Sequence, residues 1–403
     1  VMAKNTKENP TNFSKLGTGA IMEKYEAMGN LPIRNFQGGI FPGVKNIAPS
    51  RMLEDGYIDK MDGCFGCPVK CKRRMKAITE PWPVNPVYGG PEYETLGVLG
   101  SNCDIDNLEA IMKGHEICNR FGMDTISAGM TVSFAMECFE NGILTEKDTD
   151  GIQLKFGNAE AMIEMLERMA LRKGFGDVLA EGSKKASEII GKGSEKFAMQ
   201  VKGSEIPMHE PRFKQGLGLH YTGNASGPDH CSGIHDNLLD ASMAARERID
   251  VAESVPPTEL SPRKVRILYQ FGMWRQATNS LGMCNFVPWS QKQLTDALEY
   301  ITGWPMSYWR IMKTTERGMT MARIFNMREG FSAKDDKLPA RFNTSPAEGP
   351  LQGIAINPEQ MAEAQKLYYQ MLGWDESGTP TFARLVELDM EWAREYLNQY
   401  KKE

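Results

Sequence analysis

Helix punctuation constrains this chain more than any other feature of it. Apolar residues recur at helical spacing over long stretches, and these stretches open on Asp, Asn or Pro and close on Gly. Asp106 opens residues 107–120, with Glu109 three positions on and Gly122 beyond the last apolar residue, which predicts a helix with a capping box and a glycine stop. Asp124 caps a second run through Ser133, Phe134, Met136 and Cys138 to Gly142, and residues 158–172 repeat the arrangement, with Gly174 behind them. Further helices are expected at 176–190, 262–278, 291–302, 305–328, 357–372 and 380–400, where Pro262, Pro305, Pro358 and Pro380 suit first-turn positions. Strand signals are sparse. Residues 197–202 read as a short strand, and the Gly- and Pro-rich stretch 203–227 behind it marks a boundary near 203–207. The expectation is a mainly α chain of two helical domains, 1–204 and 205–403, with a long surface loop over 330–356.

Bulk properties narrow the class. The 403 residues suffice for two or three domains with sizeable cores. A net charge of -5, with no long Lys/Arg block, argues against nucleic acid as a partner. No apolar run approaches the roughly 20 residues a membrane span needs. The polar start lacks the apolar core of a signal peptide, so a cytoplasmic location is expected. A first residue of Val1 points to a longer reading frame. The 26 methionines suit loosely specified helical packing and identify no cofactor.

Eight cysteines are present, and Cys64, Cys67 and Cys71 form a C-x2-C-x3-C run. In a reducing compartment such crowding favours metal or redox chemistry over disulfides. Zinc usually takes four ligands in two short pairs, whereas this run offers three and no neighbouring His. Three close thiolates can hold three corners of a 4Fe-4S cube while a fourth arrives from a distant segment. Zinc, or three unrelated core cysteines, remain the alternatives, although the Gly66 and Pro68 turn argues against a plain core segment. Cys284 is the chosen fourth ligand, because a turn at Gly282 just past a helix can present its thiol. Cys118 and Cys138 fall within helices and read as core, with Cys103 and Cys231 as rivals.

Several segments resemble a known family. Residues 16–20 and 29–36, the three-Cys run, residues 90–96 and 122–129, Lys202 to Pro207, Glu210 to Arg212 and the Leu281 to Cys284 segment are similar to the tungsten-containing aldehyde:ferredoxin oxidoreductases, in family order. The resemblance implies two helical domains of the aldehyde:ferredoxin oxidoreductase type. The family's N-terminal β-rich pterin-binding domain has no counterpart here and would precede Val1. It also implies a 4Fe-4S cluster on Cys64, Cys67, Cys71 and Cys284 beside a tungsten (or molybdenum) bis-pterin. Pterin contacts carry over to Asp124, which reads equally as a helix cap, and to the turn Asn279 to Gly282, where the family has Asp and Asn279 keeps an acceptor without the charge. Glu94, with Glu92 as the alternative, matches the active-site carboxylate, and its plain reading is an exposed loop residue or cap. His230, with His235 as its rival, is the second acid–base candidate, against a structural reading. His115 and Glu116 fall where some members bridge a dimer through iron, but solvation on a helix surface is expected.

The implied reaction oxidises an aldehyde, with water, to a carboxylic acid, and passes electrons through the cluster to ferredoxin or another electron-transfer subunit, in a homo- or hetero-oligomer. An aromatic acyl-CoA (benzoyl-CoA type) reductase subunit stays open through the departure at Asp229 to Cys231. A tungsten-free iron-sulfur electron-transfer subunit, a different class, stays open through the missing base domain and Asn279.

Overall fold

Most of the expected helices form where their caps stand, as the computed structural model shows for residues 1–8, 12–233, 235–241 and 254–400, the residues it describes. Helix Leu108–Phe121 starts one residue later than expected: Asn107, not Asp106, accepts from Ala110 N, and Gly122 closes the helix in the left-handed conformation. Asp124 accepts from Ile126 N and Ser127 N and opens helix Thr125–Glu140, and Asn158 caps Ala159–Leu171. The Pro-led helices run Pro262–Ser280 and Pro358–Met371, and Ser290 closes a capping box at the start of Gln291–Thr302.

Four expectations need correction. Residues 176–190 are two helices, Phe175–Leu179 and Ser183–Ile190, broken at Gly182, whose φ is +84°. Glu205 then caps the second by accepting from Ser183 N and Oγ at 2.7 and 2.8 Å. The helix expected at 305–328 begins at Tyr308 because Ser307 takes the cap, leaving Pro305 outside. The stretch 380–400 breaks into Phe382–Glu387, a 3-10 turn at Glu391–Ala393 and Arg394–Tyr400. Only Gln200–Val201 of the expected strand pairs, with Ser204–Glu205 across a turn at Lys202 and Gly203, whose φ angles of +57° and +86° suit a tight hairpin.

The chain divides into two compact units: one of residues 6–213 with 339–355, the other of residues 1–5, 214–338 and 356–403. The change of unit after Phe213 falls beyond the 204/205 boundary read from the sequence. In the first unit, helix Tyr93–Leu99 packs on Thr125–Glu140 so closely that a Cβ on Gly129 would lie 2.7 Å from Val98 Cγ2. Leu96, Val98, Leu99, Ile111, Phe134, Met162 and Leu166 are its fully buried centre. The second unit packs Pro262–Ser280, Tyr308–Arg328 and Pro358–Met371 around Val265, Leu268, Met273, Ile311, Tyr368 and Trp374. Residues 339–355, expected as surface loop, are a strap on the first unit: Phe342 is fully buried, and Arg341 pairs with the buried Glu137 at 2.6 Å.

Candidate functional site

The three clustered cysteines occupy one hairpin loop. Strands β1 (Ile58–Asp62) and β2 (Lys72–Met75) pair antiparallel with Asp62 opposite Lys72, so residues 63–71 are the connection. Cys67 N donates to Cys64 O at 3.0 Å, which turns two of the thiols into one bend. Gly66 sits at φ +68° with open space where a Cβ would stand. Cys64 is exposed, Cys67 half-buried and Cys71 buried, and no described cysteine forms a disulfide. Three thiolates on a short, open loop suit three corners of a cubane cluster, so the donor set fits the implied group.

The hairpin is held at its root by an inward arginine. The Arg73 side chain is fully buried and donates to Leu16 O at 2.6 Å and to Pro91 O. Gly17, at φ +67°, makes room for it: a Cβ there would lie 2.0 Å from Arg73 Nη1 and 2.9 Å from Cys71 O. Glu92 receives Lys72 Nζ at 2.9 Å and the Thr18 hydroxyl. Burial works against the charge on Glu92, but Arg73, Lys72 and Thr18 outweigh it and hold its carboxyl below the usual range. Three segments that looked separate in sequence, around residues 17, 73 and 92, are therefore one anchor for the thiol loop.

Two residues on, Glu94 lies in different surroundings. It is 9% exposed, in the first turn of Tyr93–Leu99. Its Oε2 accepts Met208 N at 2.6 Å, and His209 Nε2 lies 3.0 Å from its Oε1. Tyr93 stacks on the His209 ring at 5.3 Å, and Tyr25 meets that ring edge-on at 5.9 Å. Glu92 is thus committed to the hairpin's ion pairs, and Glu94 is the buried carboxylate with a histidine beside it. His209 was missed in sequence, although it is one of only five histidines and stands between Pro207 and Pro211.

Asp124 is exposed, and its two oxygens accept from Ile126 N and Ser127 N at 3.2 Å each. The cap therefore exists, and the remaining lone pairs of the carboxylate can still accept from a pterin N–H. His115 and Glu116 are not on a solvated surface: they are 7% and 6% exposed. His115 Nε2 meets Tyr88 O at 3.1 Å, and Glu116 pairs with Lys113 at 3.0 Å. Cys103, Cys118 and Cys138 are buried. Burial pushes the thiols of Cys118 and Cys138 up to about 12 and that of Cys103 higher still, and Cys103 Sγ donates to Val98 O at 3.3 Å.

The other unit carries the remaining candidates. Helix Pro262–Ser280 ends in a turn where Gly282 N donates to Asn279 O at 3.0 Å, with Gly282 at φ +65°. Asn279, Gly282 and Cys284 are all exposed, and Phe286 N lies 3.4 Å from Cys284 Sγ. Asn285 Nδ2 donates to Cys231 O at 3.1 Å and so ties this turn to the 229–231 loop. There His230 Nε2 lies 3.4 Å from Cys231 Sγ. His235 is engaged at both ring nitrogens, by Lys214 Nζ and by His230 O, each at 3.0 Å. A scaffolding role suits it better than acid–base work. Asp236, fully buried, pairs with Lys264 at 2.5 Å and accepts from Gly216 N and Leu217 N, so it fixes the start of helix Gln215–Gly223. A cavity of about 570 Å³ in this unit is walled by Leu281, Trp304, Met306, Ile311 and Trp374, with Asp229 and Arg310 among its polar residues.

The family description "Aldehyde ferredoxin oxidoreductase, domains 2 & 3" matches residues 1–390. This chain belongs to that family. Among its relatives, the tungsten-containing aldehyde ferredoxin oxidoreductase of Thermococcus kodakarensis is 33% identical over 90% of this chain and 58% of its own length. That of Pyrococcus furiosus is 31% identical over 93% of this chain and 60% of its own. An aliphatic sulfonate oxidoreductase WOR-like subunit of Pyrococcus furiosus is 27% identical over 97% and 60%. The chain therefore spans about 60% of the length of the relatives it matches. It also shares the fold of a chain in the active site complex BamBC of benzoyl coenzyme A reductase, with a TM-score of 0.74, 19% identity, and coverage of 98% of this chain and 64% of that one. Mainly helical structure, with the match confined to domains 2 and 3, agrees with the architecture expected from sequence. No helix among the described residues is long and apolar enough to cross a membrane.

Proposed function

We propose that this chain is the helical part of a tungstopterin oxidoreductase that oxidises an aldehyde with water to a carboxylic acid, releasing two protons and two electrons. The observation that carries the reading is the pairing, within one unit, of an open three-thiol loop with a buried carboxylate, Glu94, that has a histidine at 3.0 Å. One set of groups suits electrons and the other suits protons. Cys64, Cys67 and Cys71, with Cys284 as fourth ligand, would hold the 4Fe-4S cluster. Asp124, Asn279 and the backbone at Gly282 would receive the pterin's amino and ring N–H groups. When bound, the pterin metal, tungsten or molybdenum, supplies the two-electron oxidation and the cluster supplies one-electron steps to ferredoxin or another electron-transfer subunit.

Glu94 acts as the general base that removes a proton from the aldehyde hydrate, and His230 handles the second proton. The reaction would take place in the cytoplasm. The test is methyl viologen reduction by simple aldehydes, set beside oxidation of a cyclic dienoyl-CoA, together with metal analysis of the full-length protein. Aldehyde-dependent reduction that disappears in Glu94→Gln is expected. Turnover of the dienoyl-CoA alone would favour the acyl-CoA reductase, and a full cluster with no tungsten or molybdenum would favour an electron-transfer subunit.

A further inference from the structure

Two packed helices of the second unit leave a groove where their facing side chains are small. On helix Tyr308–Arg328 the cavity is lined at positions four apart, Arg310, Thr314, Gly318 and Ala322, and helix Pro262–Ser280 contributes Gln276, Ala277 and Ser280. A Cβ on Gly318 would meet nothing within 4 Å, so the space begins at the helix backbone itself. At about 570 Å³ the cavity has the size of a small-molecule site, and Leu298, Met306, Ile311, Met319 and Trp374 make it mostly apolar.

The two ends differ. Trp304 and Arg310 are exposed and form the mouth. Arg310 stands in the first turn of its helix, where the backbone N–H groups add positive potential. It donates to Pro305 O at 2.8 Å and has no carboxylate partner among the described residues. Ala322 lies about 18 Å further along the same helix. One turn beyond it Asn326 Nδ2 donates to Ala225 O at 2.7 Å, which brings the loop of Asn224, Ser226 and Asp229 to this inner end. Arg323 and Trp374 meet there, the guanidinium 5.5 Å from the indole, and are 2% and 4% exposed. The Arg323 charge is taken up by Asp336 at 2.7 Å, and Asp229 accepts Cys231 N at 2.8 Å. Trp374 Nε1–H is buried and has no hydrogen-bond partner among the described residues, a donor that costs stability until an acceptor reaches it.

We propose that this cavity binds a monocarboxylate with an aromatic body: the carboxylate on Arg310 at the mouth, the body among Met306, Ile311 and Met319, and a carbonyl oxygen of the body on Trp374 Nε1. Asp229 repels a second anion at the inner end, which limits the ligand to one charge. An aryl keto acid is the simplest molecule with these features. The site needs neither the cluster nor the pterin, so its occupancy is read by binding alone.

Isothermal titration of the full-length protein with 4-oxo-4-phenylbutanoate reads the site directly. One molecule should bind per chain. Its methyl ester, which carries no charge, should bind at least about tenfold more weakly, as should the acid itself to Arg310→Gln. The ketone-free analogue, 4-phenylbutanoate, should bind about fivefold more weakly than the keto acid, and Trp374→Phe should bind the two acids equally. Gly318→Leu sets a branched side chain into the cavity at a helix position where Leu is favoured over Gly, so it should melt no lower than wild type and bind nothing. Unchanged affinity in folded Gly318→Leu, an ester that matches the acid, a ketone preference that survives Trp374→Phe, or no binding by the wild type at about 1 mM overturns the proposal.

Discussion

Arg341→Met should be among the most damaging single changes in the first unit, although Arg341 lies in no element longer than the single 3-10 turn Ala340–Asn343. Its guanidinium clasps Glu137 with both ends, Nη1 to Oε2 at 2.8 Å and Nη2 to Oε1 at 2.6 Å, and Nη1 also donates to Asn35 O at 2.5 Å. The Glu137 side chain is only 5% exposed. Removing the arginine leaves a buried carboxylate with Asn35 Nδ2, at 2.6 Å, as the partner that remains among these contacts. Breaking such a pair from one side costs about 3–5 kcal/mol. For a unit of this size that is roughly 2–4 °C of melting temperature per kcal/mol, or a fall of about 6–20 °C. The double variant Glu137→Gln with Arg341→Met removes the orphaned charge while keeping an acceptor for Asn35, so it should recover most of the loss. Thermal melts and hydrogen exchange along helix Thr125–Glu140 read both effects. A single variant that loses less than about 1 kcal/mol, or a double variant no better than the single, refutes the reasoning.

Other consequences follow from the same contacts. In cluster-free protein at pH 8, iodoacetamide should modify Cys64, Cys67, Cys231 and Cys284 while Cys118 and Cys138 resist, since thiols pushed up to about 12 are thiolate in only about one molecule in 10,000. Reconstitution with iron and sulfide should then protect Cys64, Cys67 and Cys284 in peptide mass maps, and protection of Cys231 in place of Cys284 would reassign the fourth ligand. Gly17→Ala drives a methyl into Arg73 and Cys71 O at a left-handed position, so it should cost several kcal/mol, on the order of 2–4, and lower iron retained per chain. Arg263 holds the Glu259 carboxyl down to about 2, against 4.5 when unfolded. That pair's stabilisation is complete above about pH 4.5 and lost as pH falls towards 2; with Arg263 45% exposed it amounts to less than about 1 kcal/mol, so acid melts of Glu259→Gln should differ from wild type only slightly.

The parts of the fold legible in sequence are those decided locally. Asp124, Asn158, Pro262 and Pro358 mark their helices because a cap is satisfied within a few residues of itself. The β1–β2 hairpin was not legible, because β2 turns Arg73 inward, where an alternating pattern leads one to expect an apolar residue. Nor was the role of residues 339–355, since Arg341 finds Glu137 across 204 positions of sequence. The site divides the same way. The thiol spacing stood out because three ligands fall within one loop, whereas His209 reaches Glu94 from 115 residues away, inside a Pro-flanked run whose Glu210 and Arg212 drew the attention. The engagement of Glu92 by Lys72 and Thr18 was likewise not legible, because those partners lie 20 and 74 positions away.

The most direct test of the central claim, that the 63–71 loop carries an iron-sulfur cluster, is iron and acid-labile sulfide per chain, measured with the low-temperature EPR spectrum of the reduced protein. Wild type and Cys138→Ala should give close to four irons and the signal of a reduced 4Fe-4S cluster, and Cys67→Ala should lose both. Equal iron in Cys67→Ala and Cys138→Ala, or zinc in place of iron in the wild type, would contradict it.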